Sequence, residues 1–350
     1  MKKHFESITK TITFALLLLA FACTQKSEVS KTLRLAIWPS YISDEIVKNF
    51  EKETGIHVEV SNFSTNEELY AKLKAGGNVY DLVVPSDYMI QIMANEGLLE
   101  ELGSSFDAVK SNIDKTFLGR SYDTSNKYAI PYAWTTTGIA LNKEMLKDSV
   151  SSWKALLSNK ALDGKVALLD DGREVIGAAL KSKGLSLNTT SDADLKTAQA
   201  ILKQARSQVK LFTSEPYLAL SNKEIAAAQI YSSDALQLIR DGKLKIDFVM
   251  PEEGASMAID NFALPKGTKN KDLAEKFVSY VLAPAQYKIN VESRLFGPVV
   301  KGLSAVLPAN LKDSQVLFPK ADRVRKLEQM KDLGDKSEEF DRIWTEFKAE

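Results

Sequence analysis

Short aliphatic runs alternate with amphipathic helical patterns along the chain from residue 33 onward. LRLAIW, HVEV and YDLVV predict the first three strands. We expect the first helix to begin after an N-cap at Ser43 and to end at Gly55, and the second to begin at the capping-box pair Thr65 and Glu68. Two strand-helix-strand units are therefore predicted by residue 85, a pattern typical of α/β proteins with largely parallel strands.

The pattern restarts after the segment YAIPYAW and predicts a second α/β unit. GIALN and KVALLD are strand-like, and helices are expected over residues 172–183 and 192–205. Later segments predict the strands KIDFVM and SMAIDNFALP and a C-terminal helix, EFDRIWTEFK, with one apolar stripe. Because 350 residues are many for one hydrophobic core, we expect two lobes of ordinary domain size.

Charge and composition narrow the class of protein. The chain is 44% hydrophobic and 26% charged, which is typical of soluble globular proteins. Its formal net charge is zero, with about +2 in the first 22 residues and therefore about −2 in the rest. No nucleic-acid partner is expected, because such proteins carry a basic surface that binds phosphates.

The N-terminus predicts a secretion signal over residues 1–22. Lys2 and Lys3 precede the apolar run FALLLLAFA, which is short for a membrane span. One interpretation is ordinary cleavage after Ala22. We favour a lipobox before Cys23, the only cysteine, although Phe21 departs from the common pattern. Residues 23–30 would then form a tether, and lipid on Cys23 would anchor the protein to a membrane.

Several catalytic classes lack their characteristic residues. The processed chain would keep one histidine, His57, for which we expect a structural role, and Cys23 would be blocked by lipid. G-x-S-x-G, H-E-x-x-H, P-loop and G-x-G-x-x-G motifs are absent from the sequence. Neither a metal site nor a cofactor is therefore predicted.

Aromatic and acidic side chains recur where predicted strands end, which is where open α/β sheets bind ligands. The candidate site residues are Trp38, Ser40, Tyr41, Ser86, Asp87, Tyr88, Asp171, Glu174, Tyr231, Asp234 and Asp260. Aromatic faces with carboxylates suit an organic ammonium, since cation–π contact contributes about 0.5–2 kcal/mol and a charge-assisted hydrogen bond roughly 1.5–3 kcal/mol.

Each candidate also has a purely structural explanation. Asp171 and Glu174 fit the spacing of a helix capping box, and Ser86 and Asp87 are placed to cap the helix that follows them. Trp38, Tyr41 and Tyr88 could be core or turn residues. Asp260 could lie on the wet face of its strand, whereas a buried carboxylate would need a positive partner.

Several segments resemble the periplasmic spermidine/putrescine-binding proteins of ABC importers. They are TLRLAIWPSYI, FEKETGIHVEV, NEELYAKLKAGGNVYDLVVPSDYMI, YAIPYAWTTTGIALN, LLDDGREV and MAIDNFALP, in order along the chain. The resemblance runs from about residue 31 to the C-terminus and implies a bilobed, type II periplasmic-binding-protein fold. It implies crossover strands near residues 130–140 and 255–265. The implied lobes are residues 31–136 with 257–303, and residues 137–256 with 304–350.

The resemblance also implies roles for nine of the eleven candidates: wall residues, acids that bind ammonium groups, and an aromatic residue that packs on the ligand's methylenes. The implied wall residues are Trp38, Tyr41, Ser86 and Tyr88. The implied ammonium-binding acids are Asp171, Glu174, Asp234 and Asp260, and the aromatic residue on the methylenes is Tyr231. The Asp234 position resembles an aspartate of the putrescine-preferring branch.

Four positions depart from the family pattern. Ala258 replaces a large aromatic residue, Leu295 a tyrosine and Pro39 a hydroxyl residue, while Met330 lies near a glutamine of the spermidine-preferring branch. We therefore expect a retained cation site with altered or looser ligand choice.

The sequence thus predicts a monomeric, lipid-anchored polyamine-binding protein of the periplasm or cell envelope. It would close two lobes around its ligand and deliver it to an ABC permease and its ATPase, without enzymatic activity. Two other classes remain open: a carboxylate-based hydrolase, and a surface lipoprotein with altered or vestigial ligand binding.

Overall fold

The computed structural model of the protein describes residues 31–77, 79–146 and 149–349. The predicted signal peptide (residues 1–22), the lipidation site Cys23 and the tether (residues 23–30) lie outside these ranges. Within them, no helix has both the length and the apolar character needed to cross a membrane.

Strands and helices alternate through most of the described chain. The strands are β1 (Thr32–Ile37), β2 (His57–Asn62), β3 (Leu82–Val83), β4 (Leu99–Glu100), β5 (Ala129–Asn142), β6 (Val166–Leu169), β7 (Val209–Thr213), β8 (Ala227–Tyr231), β9 (Ile246–Val249) and β10 (Met257–Pro265). The helices are α1 (Asp44–Thr54), α2 (Asn66–Lys74), α3 (Asp87–Asn95), α4 (Asp107–Lys110), α5 (Trp153–Ser158), α6 (Gly172–Lys181), α7 (Asp192–Ala205), α8 (Pro216–Ser221), α9 (Ser232–Asp241), α10 (Lys271–Val281), α11 (Pro284–Arg294), α12 (Ala309–Lys312), α13 (Ala321–Val324) and α14 (Ser337–Ala349).

Local sequence signals determine how the first two helices begin and end. The Ser43 hydroxyl caps α1, and Gly55 ends it with a left-handed φ of 69°. Thr65 accepts the N–H of Glu68 at 3.1 Å, and the Glu68 carboxylate accepts the N–H of Ser64, one residue before the cap. The predicted cap positions are therefore confirmed for α1 and α2.

The strands form a sheet with the order β2-β1-β3-β10-β5-β8-β6-β7, while β4 pairs with β10 and β9 with β5. β1 is parallel to β2 and β3, and β6 is parallel to β7 and β8, as the alternating pattern predicts. β5 and β10 run antiparallel to their neighbours and join the two parallel halves.

β5 carries the chain from one half to the other. Residues 129–136 pair with β10, whereas residues 137–142 pair with β8 and β9. Residues 129–134 of the segment YAIPYAW and the whole of GIALN, on either side of the predicted restart, belong to this single strand of 14 residues. The chain returns between β9 and β10. The predicted bilobed α/β fold with crossover strands is therefore confirmed.

Apolar packing follows the same division. Phe50 and Phe262 belong to one large buried cluster, and Trp153 and Phe340 belong to another. Leu317 packs in the first cluster, although the predicted boundary at residue 303 assigns it to the second lobe. The exact extent of each lobe remains a prediction, and we propose to move this boundary beyond Leu317.

Candidate functional site

A cavity of about 400 Å³ lies between the two halves of the molecule. Residues that follow β1 and β3 line one side, and residues that follow β6, β7 and β8 line the other. All eleven candidate residues from the sequence line it: Trp38, Ser40, Tyr41, Ser86, Asp87, Tyr88, Asp171, Glu174, Tyr231, Asp234 and Asp260. Residues distant in sequence meet here because the carboxyl ends of both sets of parallel strands face this cavity.

A β-bulge places Asp260 in the cavity wall. Asp260 pairs with Ala133 and Asn261 pairs with Pro131, so that Tyr132 on β5 is the extra residue. Bulges bend a strand and redirect its side chains, and this one lies where the carboxylate enters the cavity. Asp260 is only 4% exposed, which excludes a position on a wet strand face.

Hydroxyl groups surround the Asp260 carboxylate. It accepts hydrogen bonds from Tyr41 Oη at 2.6 Å and from Ser86 Oγ at 2.7 Å. Trp38 Nε1 is near enough to lower the pKa of Asp260 but is buried without a well-aligned hydrogen bond. Burial outweighs these donors and raises the pKa of Asp260 to about 6. Among the residues described, no lysine or arginine forms an ion pair with it.

Asp171 and Glu174 occupy the start of α6 but have different partners. Asp171 is the N-cap, and its carboxylate accepts the N–H groups of Arg173 at 2.9 Å and Glu174 at 3.1 Å. The Glu174 carboxylate instead accepts Ser256 Oγ, 2.7 Å from each of its oxygens. Helix capping therefore explains the position of Asp171 but not that of Glu174.

Burial and a nearby acid raise the pKa of each carboxyl in this pair; the nearby acid is Glu67 for Asp171 and Asp171 for Glu174. The Arg173 guanidinium opposes the shift in both. It lies 5.8 Å from the ring centre of Tyr88 and 5.2 Å from that of Phe340, so aromatic faces hold it beside the cavity.

A further acid lies at the start of α9. Burial raises the pKa of Asp234 to about 7, and the charge of Glu215 adds to the effect. Neither a hydrogen bond nor an ion pair holds the Asp234 carboxyl among the residues that the structure describes. Tyr231 occupies the N-cap position of α9, and its ring lines the cavity. This region therefore combines an unpartnered acid with an aromatic surface.

Three other candidate residues, Ser86, Asp87 and Tyr88, are already engaged with protein groups. Ser86 has the N-cap position of α3 but makes no capping bond with its side chain, because its hydroxyl donates to Asp260. Asp87 accepts Gln329 Nε2 at 2.6 Å, and burial raises the pKa of Asp87 to about 7. Tyr88 Oη donates to Glu67 at 2.9 Å.

The four departures from the family pattern do not all reach the cavity. Pro39, Ala258 and Met330 line it, and Ser40 lies exposed at its rim with a φ of 55°. Leu295 is 1% exposed, belongs to the apolar core and is not among the lining residues. The Leu295 side chain therefore contributes to the core and not to the cavity wall.

Sequence reasoning missed several polar residues around the cavity. Asn66 holds Ser86 through two hydrogen bonds, Ser256 donates to Glu174, and Glu215 and Tyr217 lie near Asp234. Two positional signals were available. Asn66 follows the predicted cap Thr65, and Ser256 begins the strand segment that contains Asp260.

The acids of the cavity do not form a metal centre. In the described ranges, no group of three or more histidine, cysteine, aspartate or glutamate side chains could hold a metal ion. The acids are instead separated by aromatic and hydroxyl groups along the cavity wall.

The fold and the enclosed cavity define a two-lobed ligand-binding protein. A family model described as bacterial extracellular solute-binding protein matches residues 45–319, and the chain belongs to this family.

Named relatives share most of the chain. The putrescine/cadaverine-binding protein of Pseudomonas aeruginosa is 33% identical and aligns with 92% of this chain and 95% of its own. The spermidine/putrescine-binding periplasmic protein of Escherichia coli is 33% identical over 91% of this chain and 92% of its own. The solved spermidine/putrescine ABC transporter substrate-binding protein of Streptococcus pneumoniae is 30% identical, with a TM-score of 0.79, and the match covers 91% of this chain and 99% of that chain. The resemblance inferred from the motifs is therefore confirmed.

Proposed function

We propose that this protein captures a polyamine, such as putrescine or spermidine, between its lobes and delivers it to an ABC importer. One observation carries the proposal: five carboxyls of one cavity lack an ion pair with lysine or arginine among the described residues. They are those of Asp87, Asp171, Glu174, Asp234 and Asp260. Because unpaired buried carboxylates are costly, the cavity favours a ligand that brings its own positive charges.

The arrangement of the wall supports a ligand with separated charges. Aromatic rings of Trp38, Tyr41, Tyr88 and Tyr231 lie among the acids and offer contact for methylene groups and for cations. A polyamine alternates ammonium groups with methylene chains. The names of the relatives from P. aeruginosa, E. coli and S. pneumoniae support the same ligand class.

We also propose that the protein works as a monomer in the cell envelope, with residues 1–22 removed and lipid on Cys23. The sequence before residue 31 and the periplasmic relative support this location. The importer would supply a permease and an ATPase. This protein would bind its ligand without covalent chemistry, a role that fits its solute-binding family.

A thermal-shift panel tests the proposed ligand class. The panel contains putrescine, cadaverine, spermidine, spermine, agmatine and choline. A ligand at 100 times its Kd stabilises the folded state by about 2.7 kcal/mol, which gives a clear rise in melting temperature. Mass spectrometry should then recover the amine unchanged. No shift with any amine would contradict the proposal, and conversion of the amine would favour an enzyme.

A further inference from the structure

The segment Glu328 to Lys331 contacts both lobes at the edge of the cavity. The Glu328 carboxylate accepts hydrogen bonds from Lys181 Nζ at 2.5 Å and from Ser186 Oγ at 2.7 Å, both in the predicted second lobe. Asn188 Nδ2, in the same lobe, donates to the backbone carbonyl of Gln329 at 2.8 Å. Side chains of the second lobe therefore bind the segment both at the Glu328 carboxylate and at the Gln329 backbone.

The side chain of Gln329 turns to the other lobe. Its Nε2 donates to Asp87 Oδ2 at 2.6 Å, and its Oε1 accepts a hydrogen bond from Arg120 Nη2. Asp87 and Arg120 both belong to the predicted first lobe. One amide thus joins the segment held by the second lobe to two charged groups of the first.

Gln329 lies outside the ligand cavity. Its neighbour Met330 lines both that cavity and an adjoining polar groove of about 490 Å³, whereas Gln329 lines only the groove. Both polar atoms of the Gln329 amide have protein partners. The amide is therefore engaged in holding the lobes together rather than open to a ligand.

We infer that Gln329 is a positioning residue that latches the two lobes in the ligand-enclosing arrangement and acts through Asp87 and Arg120. Separation of the lobes must break both of its side-chain hydrogen bonds, because its backbone moves with the second lobe. Bonds made only in the closed arrangement favour that arrangement and slow ligand release. This inference rests on the proposed function only where it concerns release of a polyamine.

The test compares Gln329→Ala and Arg120→Ala with the wild-type protein. Small-angle X-ray scattering without ligand measures how far the lobes separate, and stopped-flow fluorescence measures putrescine release. We expect a larger radius of gyration for both variants without ligand and the wild-type value at saturating putrescine. Loss of bonds to charged groups predicts about tenfold faster release, with the association rate unchanged.

Gln91→Ala is the matched control, because Gln91 lines the same groove and forms no side-chain hydrogen bond with the residues described. The double variant Gln329→Ala/Arg120→Ala should release putrescine about as fast as Gln329→Ala, because the two residues share one bond. Urea unfolding verifies that each variant is folded. A folded Gln329→Ala protein with the wild-type radius of gyration and release rate would refute the proposed role of Gln329.

The two proposals fail in different ways. If the wild-type protein binds no amine, the proposed function is wrong, and scattering from the ligand-free variants still decides the latch. If the wild type binds putrescine and Gln329→Ala matches it in both measurements, the latch alone is wrong.

Discussion

Replacement of Asp260 by asparagine removes the charge of this side chain while it keeps the shape. The wild-type carboxyl is 4% exposed and has a pKa of about 6, against an ordinary 3.8, chiefly because of burial. Ionisation of Asp260 therefore costs the empty protein about 3 kcal/mol at pH 8. Because the pKa is raised in the folded state, the full cost of ionisation applies above pH 6. The cost disappears below pH 4, where the carboxyl is protonated in both the folded and unfolded states. We expect Asp260→Asn to raise the free energy of unfolding of the empty protein at pH 8, with little change at pH 4.

The Asp260→Asn substitution should weaken ligand binding, although it stabilises the empty protein. A bound ammonium would lose a charge-assisted hydrogen bond to Asp260, which is a loss of roughly 1.5–3 kcal/mol. Since 1.4 kcal/mol corresponds to a tenfold change, putrescine should bind about 10- to 150-fold more weakly. The same substitution thus stabilises the empty protein and weakens the complex.

Urea unfolding at pH 8 and pH 4 and calorimetric titration with putrescine at pH 8 measure both effects. Asp170→Asn is the control, because Asp170 lines the same cavity but pairs with Lys348 at 2.6 Å. It should change both quantities little. Wild-type affinity in Asp260→Asn would refute the ammonium role, and a less stable empty protein at pH 8 would refute the burial argument.

Two further predictions concern the other acids of the cavity. Putrescine should bind at least about tenfold more weakly at pH 5 than at pH 8, because Asp87 and Asp234, each with a pKa of about 7, take up protons while the amine stays charged. Titration in two buffers of different ionisation enthalpy should detect proton release near pH 7, and a flat pH profile would contradict this. Ser256→Ala removes the hydroxyl that donates to Glu174 and should weaken putrescine binding about tenfold. Ser64→Ala, at the same cavity, is its control, and equal affinities of the two variants would contradict the role of Ser256.

Most candidate residues were predictable because they lie close in sequence to a recognisable strand end, whereas Asp260 lies inside β10. Trp38 and Tyr41 follow β1, Asp171 and Glu174 follow β6, and Tyr231 ends β8. Hydrophobic alternation identifies the strands, and parallel pairing brings their carboxyl ends to one cavity. The resemblance to the polyamine-binding family then connected the aromatic and acidic residues with one ligand class.

The hydrogen-bond partners of the acids were not predictable in the same way. Ser86 lies at a helix start, where capping is the expected role, yet its hydroxyl donates to Asp260, 174 positions away. Glu174 bonds to Ser256 at a separation of 82 positions. Gln329 was overlooked although its neighbour Met330 was considered, because its contact with Asp87 spans 242 positions. Contacts at such separations leave no local periodicity or cap signal.

By itself, the sequence determined the alternating elements, the ends of α1 and α2, and the set of candidate side chains that line the cavity. These features depend on hydrophobic periodicity and on capping groups within a few residues of each other. The tertiary structure decided which acids form no ion pair with a lysine or arginine in the described part of the chain, that Leu295 lies in the core, and that Gln329 bonds to Asp87. Burial and electrostatics depend on every element packed around a group, and only the folded chain brings those elements together.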